Sequence, residues 1–226
     1  MSEKLLILLT GPTGVGKSTA AETIATICNS HGLRPRFISD YPILETWARD
    51  NRGDLARVMW DKPQDSDTEY FSVLPNAYQE ASTFIASSIA HEILTTLDSF
   101  DIFTTEAARG AGSPPDTYID HLYKPLINTL NGLVKFANIQ VVVNNVDELR
   151  QRVKQRFEVD PTAAPPFVLE RYISDSGTIQ SSVTQAQIFP AHFVYNGEVN
   201  NSRNPKDTRN HIATIINSII LGVIPG

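Results

Sequence analysis

Apolar residues gather in five short runs along this chain: Leu5–Leu9, Arg36–Ser39, Asp101–Thr105, Ile139–Val143 and His192–Tyr195. Between them, apolar positions recur at helical spacing over about residues 17–30, 76–98, 116–136, 147–157 and 206–221. Short dense runs read as strands, and longer periodic stretches read as helices. Their alternation predicts a parallel sheet covered by helices on both faces. Near the end of the chain, Ile212, Ile215, Ile216, Ile219 and Ile220 fall on one helix face. That stretch is too short to span a bilayer and predicts a terminal helix packed on the core.

Two segments break the rhythm. Residues 41–75 are polar and acidic, with Asp54, Asp61, Asp65, Asp67 and Glu69. Residues 158–190 hold Pro161, Pro165, Pro166 and Gly177, then the polar run Thr178 to Gln187. Both are long for plain connections, and such segments in a compact domain usually serve as lids or binding loops.

Composition narrows the class. The 226 residues are 41% hydrophobic and 19% charged, which describes a globular chain, taken here as one domain over residues 1–226. The formal net charge of −6 does not favour a nucleic-acid partner. The single cysteine, Cys28, excludes a disulfide framework and shares the apolar side of its helix with Ile24 and Ile27. The first apolar run is too short for a signal peptide and leads directly into a glycine-rich turn, so the cytoplasm is the expected compartment, with no membrane association.

The chemistry begins at that turn. Residues 11–18 read Gly-Pro-Thr-Gly-Val-Gly-Lys-Ser, a complete match to the phosphate-binding pattern G-x-x-x-x-G-K-[ST]. It lies between a strand and a helix, the context the pattern requires. Gly11, Thr13, Gly14, Val15 and Gly16 are expected to turn tightly and point backbone N–H groups at a phosphate chain. The following helix adds its positive dipole end. Lys17 is expected to reach the β- and γ-phosphates, Ser18 to offer its hydroxyl to Mg²⁺, and Thr19 to touch the α-phosphate.

Ligands on an open parallel sheet collect at the carboxyl ends of the strands. Asp40 ends the second run, where it would accept a proton from an acceptor hydroxyl or hold a metal-bound water. Its competing reading is a turn or cap residue before Tyr41-Pro42. Glu106 ends the third run and is a candidate to hold Mg²⁺ through water or to orient the acceptor. Arg109, in Ala107-Ala108-Arg109-Gly110, would bind an anionic acceptor group, or else pair with Glu106. Arg152 and Arg156 are four apart and share one helix face, while Arg150 points elsewhere. They would close over the transferring phosphate, or form an ordinary solvated face.

These elements, with the run Phe193 to Glu198 before the last helix, resemble the P-loop nucleoside and nucleotide kinase superfamily. The resemblance spans nearly the whole chain, though only residues 11–18 are specific. It implies a three-layer α/β/α sandwich, a five-stranded parallel sheet in the order 2-3-1-4-5, and a lid after the fourth strand that carries Arg150, Arg152 or Arg156. It further implies ATP and Mg²⁺ as cofactors and a small-molecule phosphoryl acceptor as partner, bound near residues 41–75. The lid would occupy residues 150–190. A homodimer is left open. The Asp-Arg-Tyr acceptor signature of thymidylate kinases and the paired glycines of an adenylate kinase lid are missing, so no subfamily is named.

Three other readings compete. Asn144-Asn145-Val146-Asp147 nearly matches the guanine motif Asn-Lys-x-Asp of GTPases, although the third run lacks an Asp-x-x-Gly switch. Asn144 and Asp147 also suit a turn and helix cap. An ATP-dependent switch or polynucleotide-end kinase, and a nucleotide-binding protein without efficient turnover, share the same motif.

Overall fold

Along Leu5–Leu9 the side chains alternate: Leu6 and Leu8 enter one apolar core, and Leu5, Ile7 and Leu9 enter another. A strand that is buried on both faces must be central in its sheet and covered twice. The computed structural model, which describes residues 4–61, 67–106, 119–161, 163, 165–176, 193–201 and 204–223, places it there. The elements run β1 Lys4–Thr10, α1 Lys17–Ser30, β2 Pro35–Ile38, α2 Asp40–Asn51, a short turn α3 Gly53–Ala56 that passes into a π-helical turn Arg57–Asp61, and α4 Asp67–Thr96. They continue with β3 Ile102–Glu106, a second π-helical turn Ile119–Tyr123 leading into α5 Lys124–Leu130, β4 Val134–Val142, α6 Val146–Val159, α7 Pro166–Ser176, β5 Phe193–Asn200 and α8 Pro205–Val223.

The five strands form one parallel sheet in the order β2-β3-β1-β4-β5, as the resemblance implies. On one face α2, α3, α4 and α5 pack through Trp47, Leu55, Ile89, Ile93 and Leu126. On the other, α1, α6 and α8 pack through Ile24, Cys28, Leu149, Val153, Ile212 and Ile216. Cys28 is fully buried, and burial pushes its thiol up to about 11.

Four boundaries depart from the sequence reading. The helical pattern over 116–136 overruns: α5 stops at Leu130, the chain turns at Gly132 with φ 77, and β4 begins at Val134. Val134, Lys135 and Phe136 alternate buried, exposed and buried, but three residues at the end of a helical pattern are too few to mark the change of period. Residues 41–61 are helical rather than a loop. Ser39 caps α2 by accepting the Tyr41 N–H at 3.4 Å, and Pro42 sits in the first turn, where its missing N–H costs nothing. α4 starts at Asp67, so Pro75 lies inside it. β5 continues to Asn200 through Asn196 and Gly197, residues that signal a turn when read alone.

At the amino ends of the strands, Asp101 accepts from Lys4 Nζ at 3.0 Å and from Arg34 Nε at 2.9 Å. It ties β1, β2 and β3 together at the end of the sheet opposite the phosphate loop. Hydrogen bonds from Arg34, and then from Lys4, hold its carboxyl well below the usual carboxylate range.

Candidate functional site

β1 delivers the glycine turn to the carboxyl edge of the sheet, and the turn closes at Gly16, which has φ 97 and ψ 31. Gly16 is the N-cap residue of α1 and no side chain caps that helix, so its first N–H groups face the turn. The turn is packed against the rest of the fold. At Gly11, with φ 135, a Cβ would run into the Val141 carbonyl of β4. At Gly16 a Cβ would strike the Asn201 side-chain amide.

Lys17 is buried and folds back over the turn, donating to the Gly11 and Pro12 carbonyls at 3.0 Å each. Because the Gly11 carbonyl points to Lys17, the amide at position 12 faces away, and a proline there costs the cradle no donor. Burial lowers the Lys17 pKa; the charges of Glu106 and Asp40 oppose that shift, and Arg156 adds to it. These three groups therefore act on one ammonium, although they come from β3, α2 and α6.

Ser18, at the first turn of α1, donates to Glu106 Oε1 at 3.2 Å. Glu106 ends β3 and lies beside Leu9 of β1 in register, which brings it next to the turn. Val15 is buried in the apolar core, and Thr19 is exposed on α1. Asp40 opens α2 and is half-buried; the cap position itself belongs to Ser39. Arg109 lies outside the described residues.

The three arginines of α6 part company. Arg150 pairs with Glu170 of α7 at 2.7 Å and with Asp147 at 3.0 Å. Arg152 pairs with Glu148 at 2.6 Å and donates to the Asn201 carbonyl at 3.2 Å. Arg156 is exposed and has no ion pair among the described residues, yet its charge acts on Lys17. Of the three, Arg156 alone lacks an ion pair among the described residues, and its charge bears on the phosphate turn through Lys17. The expected lid contains α7, whose backbone is helical over Pro166–Ser176. Residues 177–190 lie outside the described residues.

The near-match to a guanine motif has a structural explanation. Asn145 caps α6, accepting the N–H groups of Asp147 and Glu148 at 3.0 and 3.2 Å. Asp147 is occupied by Arg150 on the solvent side.

Two features escaped the sequence. Asn201, just past β5, donates from Nδ2 to the Val15 carbonyl at 2.6 Å and from its N–H to the Val142 carbonyl at 2.7 Å. Its only signal was an Asn-Asn pair at a strand end, which is common in turns. A groove of about 480 Å³ also opens between α1 and α8, beginning at Gly16 and Thr19 and flanked by Thr23, Asn201 and Arg209.

Among the described residues no three His, Cys, Asp or Glu side chains converge as a metal site. No helix among them is long and apolar enough to cross a membrane.

No protein-family model and no curated protein matches this chain. Solved structures do. A proposed kinase from Chloroflexus aurantiacus is similar over 99% of both chains, with 17% identity and a TM-score of 0.58. The chain has the fold of the P-loop kinases. A second structure of this fold, shikimate kinase from Acinetobacter baumannii in complex with shikimate, is similar over 97% of this chain and 94% of its own, with 13% identity and a TM-score of 0.50. At these identities the P-loop kinase likeness is one of architecture, and the site residues stand on their own geometry.

Proposed function

We propose that the protein is an ATP-dependent phosphotransferase that acts on a small-molecule acceptor. The observation that carries this reading is the convergence of the Lys17 ammonium, the Ser18 hydroxyl and the Glu106 carboxylate on one glycine turn. Phosphoryl transfer asks little covalent chemistry of a protein. It asks for a phosphate cradle, positive charge around the moving group and a positioned nucleophile.

Each part has a candidate. The N–H groups of the turn and of the first turn of α1 hold the phosphate oxygens. Lys17 exchanges its two loop carbonyls for those oxygens and keeps its charge through the transition state. Arg156, uncommitted on α6, adds a second positive charge. Mg²⁺ would be held by Ser18, with Glu106 and Asp40 acting through water, and when bound it offsets phosphate charge. A cation bound mainly by phosphate and water needs few protein ligands, so this sparse donor set suits it.

In-line transfer puts the acceptor on the far side of the moving phosphoryl group from the donor. We assign that side to Asp40, the helices of residues 40–61 and Arg109 from the stretch that follows β3. Asp40 orients or deprotonates the attacking oxygen, and Arg109 holds an anionic part of the acceptor. The groove between α1 and α8 takes the donor base. ATP is preferred to GTP, because Asn145 and Asp147 are engaged in capping and pairing on α6.

The test is nucleotide turnover with a panel of small acceptors, using ATP and GTP as donors. ATP-dependent phosphorylation of one acceptor, lost in Lys17→Ala, is expected. Tight GTP use that disappears in Asp147→Ala would replace this reading with a GTPase. Asp40→Asn is expected to lower kcat, and Arg109→Ala to raise the acceptor KM.

A further inference from the structure

Asn201 is held by four hydrogen bonds. Its N–H reaches the Val142 carbonyl at 2.7 Å, and its Nδ2 reaches the Val15 carbonyl at 2.6 Å. Its own carbonyl accepts from Arg152 at 3.2 Å, and its Oδ1 accepts from the Thr208 hydroxyl at 3.4 Å. A carbonyl can only accept, so the contact with Val15 fixes the amide with its nitrogen toward the phosphate turn.

The peptide joining Val15 to Gly16 is planar and trans. Its carbonyl and the Gly16 N–H therefore point in opposite directions. Whatever holds the Val15 carbonyl outward also aims the Gly16 N–H inward, into the concave side of the turn. With φ 97, Gly16 occupies a region where the peptide has no side chain of its own to steady it. The Asn201 amide lies against the Gly16 Cα, filling the space that a Cβ would take.

We propose that Asn201 is a positioning residue for phosphate binding, fixing the Val15–Gly16 peptide so that the Gly16 N–H donates to a bound phosphate. Through Arg152 it also joins the phosphate turn to α6, whose Arg156 acts on Lys17. The role rests on the nucleotide-binding reading above and needs no knowledge of the acceptor.

The experiment is calorimetric titration of the full chain with ADP and with inorganic pyrophosphate. Asn201→Asp is nearly isosteric but, as a carboxylate, has no proton for the Val15 carbonyl. At pH 7.5 it is expected to bind both ligands about tenfold more weakly than wild type, the effect of one lost hydrogen bond. As the pH falls toward 4, near the ordinary aspartate value of about 3.9, the carboxyl gains a proton and can donate again, so the gap to wild type is expected to narrow. A defect that does not depend on the carboxyl's proton would not recover. Asn201→Ala, with no donor at any pH, is expected to show the same loss without recovery, and it serves if the aspartate variant does not fold. Wild-type affinity in either variant at pH 7.5 overturns the inference alone, as does a gap in Asn201→Asp that stays constant with pH. Failure of wild type to bind either ligand overturns the nucleotide reading and this inference together.

Discussion

Lys17 carries its charge where water scarcely reaches, 7% exposed, and two carbonyls with two nearby acids keep it there. Removing it also removes the cost of burying an ammonium, which offsets the loss of a donor to the Gly11 and Pro12 carbonyls. Lys17→Ala is therefore expected to fold normally by thermal unfolding and to lose turnover by on the order of a thousandfold, the scale of one lost transition-state charge contact. Wild-type turnover in the folded variant would rule out the proposed role. Cys28 offers a second test. Burial holds its thiol neutral up to about 11, whereas the unfolded thiol ionises near 9.0. The contribution to stability is complete below the lower value and is lost as pH rises through that window. A thiol reagent at pH 8 is expected to label Cys28 only when denaturant is added; rapid labelling of native protein would contradict the burial.

Among the elements, the Asp101 tie governs how β1, β2 and β3 meet. Its carboxyl is depressed in the fold, so its contribution is present above the unfolded value of 3.8 and disappears as pH falls through it and below. Asp101→Asn is expected to cost about 1–3 kcal/mol in urea unfolding at pH 7, since it strips partners from the half-buried Lys4 and from Arg34. Equal stability of the two proteins from pH 2 to pH 7 would show that the tie contributes nothing. The layer pattern was legible in sequence because short strand-like runs alternate with helical periods, whereas the strand order came only from the resemblance to the P-loop kinases. The start of β4 and the end of β5 were not legible. Val134 to Phe136 alternates over too few residues to stand out from the helical pattern before it, and Asn196 to Asn200 acquires strand geometry only by pairing with β4. The same split runs through the site. Gly11 to Ser18 is a contiguous pattern, and Glu106 follows from the rule for strand ends. Asn201 reads in sequence only as a turn residue, because its meaning arises when β5 settles beside β4 and brings the chain back to Val15.

On the scale of the whole molecule, the site draws on the turn after β1, the end of β3, α6 and the segment after β5. A ligand bound there couples parts of the chain that are far apart in sequence. ADP at about a hundred times its dissociation constant is expected to add about 2.7 kcal/mol of stability and to raise Tm measurably. Hydrogen exchange should slow at residues 11–18, α6 and Asn201, while the Asp101 end of the sheet stays unchanged. Uniform slowing everywhere, or none, would separate binding from this site. The sheet order has one more outcome, which concerns how the chain is made. β1 pairs only with strands that begin at Ile102 and Val134, so Leu5 to Leu9 leave the ribosome long before any partner exists. A growing chain must shelter that apolar run, and folding that depends on such distant pairings is slow. The phosphate turn is synthesised before every element that completes it. Waiting for Asn201, it is among the last to be finished.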